Sequence, residues 1–171
     1  TGTDRVFEVL KKVGKKNIDL VMNLQGDEPM MSVDDIKNLH NKMVNSNSNL
    51  GTLASNIKNK DLINKENVVK VLTKSRLDIN SFPEAIDFFR KFSESYENVY
   101  HHLGIYCYRT EILEKFISLT QSQNEIKKKL EQLRALDNSI NINVGYAKQS
   151  PIGVDTEEDF VAIKKLMEYK S

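Results

Sequence analysis

Ile18-Asp19-Leu20-Val21-Met22-Asn23-Leu24 runs directly into Gln25-Gly26-Asp27-Glu28-Pro29. The first part is short, nearly continuously apolar and bounded by turn formers, which is the pattern of a strand covered on both faces, as in a parallel sheet. The second part places a glutamine, a glycine and two carboxylates directly past the strand's carboxyl end, where open α/β sheets bind their ligands. Upstream, Val6, Phe7, Leu10 and Val13 recur at helical spacing behind Thr3 and Asp4, with Gly14 suited to the helix end. Downstream, Ser32-Val33-Asp34-Asp35 reads as a capped helix start, with Ile36, Leu39, His40 and Met43 along one side.

The alternation continues along the chain. Leu50 to Ile57 and Val68 to Leu72 read as strands, as do Tyr100 to Tyr108 and Ile140 to Ala147. Helices are expected over 111–118 and 124–136, and a last amphipathic helix opens at Thr156-Glu157-Glu158-Asp159. Between Ser75 and Phe92 the pattern is broken by Pro83, and the segment after it is compatible with helix. Strands alternating with helices imply a single α/β layered domain with a mixed, mainly parallel sheet flanked by helices.

Composition narrows the function. The 25 Lys and Arg against 24 Asp and Glu leave a net charge of +1, so nothing in the balance points to a nucleic-acid or membrane-surface partner. One cysteine excludes an intrachain disulfide and a cysteine-based zinc site, and fits a reducing compartment. No apolar run approaches a membrane span. Neither a G-x-x-x-x-G-K-[ST] nor a G-x-G-x-x-G pattern occurs, so phosphate-loop ATPases and dinucleotide enzymes gain no support.

Four local signals could carry chemistry. Asp27 is placed to hold Mg2+, which takes a few hard oxygens plus phosphate and water, although Gly, Asp and Pro are also what any turn uses. Asp155, just before Thr156 and the last helix, could join it on one ion, although alone it reads as one more acid stabilising a helix start. In His101-His102-Leu103-Gly104-Ile105-Tyr106-Cys107-Tyr108, alternation sets His102, Gly104, Tyr106 and Tyr108 on one face, fit either for a sugar or for solvent. The two histidines point oppositely and cannot share a metal, and Cys107 among apolar neighbours reads as a core thiol. In Glu131-Gln132-Leu133-Arg134, the stripe Leu130, Leu133 and Leu136 leaves Glu131 and Arg134 nearer the exposed side.

Taken in order, Thr1-Gly2-Thr3-Asp4-Arg5, LQGDEPM (24–30), HHLGIYCYR (101–109), LEQLR (130–134) and GVDTEEDF (153–160) resemble the successive motifs of the 3-deoxy-manno-octulosonate (Kdo) cytidylyltransferases. The resemblance implies a Rossmann-like nucleotide-diphospho-sugar transferase fold and a reaction in which CTP and Kdo give CMP-Kdo and pyrophosphate. It implies Asp27 and Asp155 as catalytic Mg2+ ligands, with Gln25, His102, Glu131 and Gln132 on the sugar acid. Thr1, Gly2, Thr3 and Arg5 would lie against the nucleotide. A cytoplasmic homodimer serving lipopolysaccharide synthesis is implied as well. Activation of a related acidic sugar, amino-Kdo or a sialic acid, is the neighbouring reading, and a non-catalytic nucleotide- or sugar-binding module is another.

Three departures from the family's pattern stand out. The chain starts at Thr1 without the strand and Gly/Arg/Lys loop that grip the triphosphate in the family, so it is expected to be the C-terminal major part of one domain, lacking the first βαβ unit and inactive by itself. The family's aromatic-Ser-Arg segment has two partial counterparts, Ser81-Phe82-Pro83 by position and Lys74-Ser75-Arg76 by letters. His101 and Cys107 stand where the family usually has Arg and Gly.

Overall fold

The computed structural model describes residues 1–26, 30–57, 64–91, 97–149 and 157–168. Local chemistry explains where its elements begin and end. Thr1 and Asp4 form a reciprocal capping box that starts α1 (Gly2–Val13), and Gly14, at φ 88°, ends it in a conformation that costs glycine no side-chain clash. The chain turns into β1 (Leu20–Asn23), then α2 (Val33–Val44) and β2 (Leu50–Ser55). Next come β3 (Lys70–Thr73), β4 (Ala85–Phe89) and the long β5 (Val99–Arg109). Helices α3 (Thr110–Ser118), α4 (Gln123–Lys128) and α5 (Leu133–Asp137) lead to β6 (Ile142–Tyr146) and α6 (Glu157–Glu168).

The six strands form one mixed sheet in the order β4-β3-β5-β2-β6, with β1 also paired to β5. The mixed sheet agrees with expectation, but its mainly parallel pairing does not. Only β2 and β6 pair in parallel, while β5 runs against β1, β2 and β3, and β4 runs against β3. β1, β2, β3 and β6 therefore all point one way, and β5 separates β1 and β3 from β2. Burial on both sheet faces, which suggested parallel pairing, comes from helices lying on both sides and not from strand direction.

One face carries Leu50, Ala54, Val71, Phe88, Tyr106, Tyr108, Ile142 and Val144 under Leu10 of α1, Leu113 and Phe116 of α3, and Leu130 and Leu133. The other carries Leu53, Leu103, Ile105 and Cys107 under Leu39 and Met43 of α2. Gly51 permits this second contact, since a Cβ there would lie 2.7 Å from the Met43 sulfur. Arg109 pins the end of α2 by donating from Nη2 to Met43 and Ser46 carbonyls and from Nε to that of Ser48.

Two expectations need correction. The segment after Pro83 is strand β4, with Ala85 and Phe88 turned to the core and Ile86 exposed, anchored beside β6 by Val144 N–H donating to Pro83 O at 2.8 Å. The helix expected over 124–136 is two short helices, because Lys129 adopts a left-handed conformation (φ 53°) that ends α4. The leucine stripe is therefore not continuous. Gln132 and Arg134 are buried along with Leu130 and Leu133, so Arg134 does not lie toward the exposed side.

Candidate functional site

The sheet topology creates a junction at the middle of β5. On one edge of that strand β1 pairs with Tyr106–Arg109 and β3 with Val99–His101. The Gln25-Gly26 turn leaves β1 where these two registers meet, at the carboxyl end favoured for ligands. The start of α1 closes on the same place: a Cβ built on Gly2 would lie 3.9 Å from Nδ2 of the buried Asn23.

One residue further, Thr3 is buried and its hydroxyl donates to Glu131 Oε2 at 2.9 Å, joining α1 to the turn between α4 and α5. Glu131 Oε1 is buried without a hydrogen-bond partner among the described residues and sits 3.5 Å from Arg134 Nη2, an ion pair too long to serve as a hydrogen bond. Arg134 itself is gripped by Glu125, Nε to Oε2 at 2.8 Å and Nη2 to Oε1 at 2.5 Å, with its guanidinium 4.7 Å from the Phe116 ring centre. Burial alone would raise the Glu125 carboxyl, but hydrogen bonds from Arg134, Gln121 and the Ser122 N–H hold it below its ordinary value. The Glu125 partnership in turn raises Arg134. A fixed positive charge is thus built in behind Glu131.

His102 lies on the same sheet face, 6% exposed, with its ring edge-on to Phe88 (centroids 5.0 Å apart) and tilted against Tyr106 (5.6 Å). The aromatic row runs on through Tyr108 to Phe116. The His102 backbone N–H donates to Val69 O at 3.0 Å, and the ring Nε2 lies 2.9 Å from Thr52 Oγ1. Burial, aided by the charge of His101, pushes the ring pKa down to about 3, so the imidazole is neutral at ordinary pH. Burial lifts the Tyr108 phenol well above its usual range, more than the facing Thr3 hydroxyl lowers it. Cys107 is fully buried and raised by burial to about 11, a core thiol as expected.

The structure therefore brings Thr3 and Glu131 into contact, sets Gly2 beside Asn23 and buries His102 and Gln132. Thr1 caps α1, while Arg5 and Gln25 are exposed. The polar-aromatic face of β5 is buried, which settles the choice left open against its being a solvent face. Asp27 and Asp155 lie outside the described residues. Among the described residues no group of three or more His, Cys, Asp and Glu is arranged to hold a metal. Two residues of this neighbourhood were not singled out from sequence, Glu125 and Thr52. Glu125 had a signal, the capping pair Ser122–Glu125; Thr52 had only its place as a hydroxyl in an apolar strand.

The cytidylyltransferase family profile matches residues 1–142. The 3-deoxy-manno-octulosonate cytidylyltransferase of Thermodesulfovibrio yellowstonii is 37% identical over 178 residues, covering 98% of this chain and 69% of the relative. That of Bartonella tribocorum is 36% identical with the same two coverages.

The chain belongs to the 3-deoxy-manno-octulosonate cytidylyltransferase family.

A solved structure of CMP:2-keto-3-deoxy-manno-octonic acid synthetase complexed with CTP matches the whole chain and 69% of its own, with a TM-score of 0.86 at 30% identity. The 4-diphosphocytidyl-2C-methyl-D-erythritol synthase of Anaerococcus prevotii shares the fold, with a TM-score of 0.59 at 17% identity. For this member of the Kdo cytidylyltransferase family, the Rossmann-like nucleotidyltransferase fold is thus supported by sequence and by shape. No helix among the described residues is long and apolar enough to cross a membrane.

Proposed function

We propose that this chain transfers CMP from CTP to the anomeric hydroxyl of Kdo and releases pyrophosphate. The observation that carries the reading is the Thr3–Glu131 hydrogen bond, which joins residues 128 positions apart. Thr3 belongs to the segment assigned to the nucleotide and Glu131 to the segment assigned to the sugar acid. A reaction between two bound substrates requires such adjacency, because holding reactants together supplies much of the rate enhancement.

In the transfer, the anomeric oxygen attacks the α-phosphorus of CTP in line. The new P–O bond forms as the bond to the β-phosphate oxygen breaks, the hydroxyl proton leaves the sugar, and pyrophosphate departs. No protein nucleophile is needed, in keeping with a buried thiol at Cys107 and a neutral His102. The residues contribute placement. Glu131, steadied by Thr3 and Arg134, and Gln132 would accept and donate hydrogen bonds to sugar hydroxyls, and Gln25 would close from the β1 turn. The turn at Thr1-Gly2-Thr3, with Arg5 exposed on α1, would flank the nucleotide.

Mg2+ is the metal proposed for the site, with Asp27 and Asp155 as its ligands. Two carboxylates are the hard-oxygen donors it prefers beside phosphate and water. β1 and β6 point the same way and lie three strand steps apart, about 14 Å at the usual spacing. Asp27 follows Asn23 by four residues and Asp155 follows Tyr146 by nine, so both have chain enough to meet beyond that edge. The bound ion would screen phosphate charge during the transfer.

The product is proposed to serve lipopolysaccharide synthesis, made by a cytoplasmic homodimer. An acceptor panel tests the substrate assignment: with CTP and Mg2+, the full-length protein should release pyrophosphate with Kdo well above amino-Kdo or sialic acid. A preference for either of the latter would overturn the choice of sugar.

A further inference from the structure

β2 and β5 do not pair evenly. Thr52 is opposite Tyr106 and Leu53 opposite Leu103, so Gly104 and Ile105 form an outward step in β5 that the β2 register skips. Thr52, with no exposed surface, fills that step with its side chain: Oγ1 lies 2.7 Å from Ile105 O and 3.3 Å from Leu103 O. Both neighbours are acceptors, and a threonine hydroxyl has one proton to give. That proton goes to the carbonyls, the nearer being Ile105 O. The remaining contact, 2.9 Å to His102 Nε2, can then be a hydrogen bond only if the ring nitrogen carries the hydrogen.

We propose that Thr52 is a positioning residue that locks His102 as the Nε2–H tautomer, so that Nδ1 is the ring's acceptor and takes a hydrogen bond from a hydroxyl of the bound acidic sugar. The part concerning the sugar rests on the functional reading above together with the family resemblance, which sets His102 on the sugar acid, whereas the tautomer follows from the β2–β5 geometry alone. A strand irregularity thereby dictates the hydrogen-bonding sense of a site residue: the step exposes carbonyls, the carbonyls orient the hydroxyl, and the hydroxyl orients the imidazole. Phe88 and Tyr106 lie against the ring and restrict its position independently of Thr52, so the tautomer is what the Thr52 hydroxyl decides. The chemical consequence is a demand on the substrate. At that point it must present a donor, a hydroxyl, and an ether or carbonyl oxygen there would face a lone pair.

The test uses the full-length protein labelled with 15N-histidine and needs no variant for its first arm. Long-range 15N–1H correlation should show His102 with a protonated Nε2 and an unprotonated Nδ1; the opposite tautomer overturns the proposal whatever the enzyme's substrate. In the second arm, Thr52→Val should raise KM for Kdo about tenfold, the loss of one oriented hydrogen bond, with KM for CTP unchanged. Thr52→Ser, which keeps the hydroxyl, should restore both the tautomer and the KM. Equal changes in both KM values, or no rescue by serine, would overturn the positioning role. The expected tautomer in a protein that makes no CMP-Kdo would uphold the lock while removing the sugar reading.

Discussion

Thr3 Oγ1 donates to Glu131 Oε2 across 2.9 Å, so the first turn of α1 and the turn before α5 are held as one piece. Replacing Thr3 with valine keeps the shape and removes the donor. A part-buried carboxylate then loses the one hydrogen-bond donor it has among the described residues and keeps a distant guanidinium. Thr3→Val should destabilise by about 1–3 kcal/mol and weaken substrate binding together with it. Denaturant titration and steady-state kinetics check this; unchanged values in both would show that the contact is incidental.

Arg134 is 5% exposed and Glu125 4% exposed, and breaking such a pair strands a charge in the interior. Arg134→Met should cost about 3–5 kcal/mol. The double change Arg134→Met, Glu125→Leu should recover most of that, less about 1 kcal/mol for the lost bond from Ser122 N–H to Glu125, while Ser122 still caps α4. A double-mutant cycle by urea denaturation measures the coupling. Simple additivity of the two single changes would refute it.

Acidification should destabilise the fold in a defined window. The folded His102 holds its proton only below about pH 3, whereas the unfolded ring binds one below about 6.5. Between these values the unfolded chain carries more protons, so stability climbs with pH, by at most about 1.4 kcal/mol per unit from this group. His101, also lowered by burial and by Lys70, adds in the same sense. Glu125, lowered in the fold, adds to the loss as pH falls toward and through its folded value. Urea midpoints from pH 4 to 8 should fall on the acid side, and less steeply in His102→Gln. Parallel curves for the two proteins would contradict the assignment.

Under the proposed metal assignment, Asp27→Asn should leave the fold intact and reduce turnover by about 10²-fold or more, since it would remove one charged donor from the proposed Mg2+ site. Chelation of Mg2+ from the unaltered protein should abolish activity, and readdition should restore it. Full activity in the asparagine variant would remove Asp27 from the metal site.

Much of this architecture was legible in the chain because it is local. The IDLVMNL run, the Thr1–Asp4 cap with Gly14, and the alternation through 101–108 each encode an element by period or by cap. Strand direction was not legible: a buried strand looks alike in parallel and antiparallel surroundings, and the central place of β5 is a property of the whole sheet. Lys129 shows a second limit. A lysine in a left-handed turn carries no letter that marks it, so a helical stripe reads straight through a break that buries Arg134 and Gln132. In the site, the ordered motifs pointed to Glu131 and Thr3, yet their contact is long-range and no spacing rule contains it. Thr52 carries no mark in the sequence for the same reason, because its contacts depend on a strand irregularity that appears only when β2 meets β5.

Transfer of CMP to Kdo can be followed by 31P NMR of the full-length protein with CTP, Mg2+ and Kdo. The three CTP resonances should give way to one phosphodiester signal and to pyrophosphate in equal amounts, only when Kdo is present. CTP that persists unchanged beside Kdo, or that yields free CMP without a sugar phosphodiester, would contradict it.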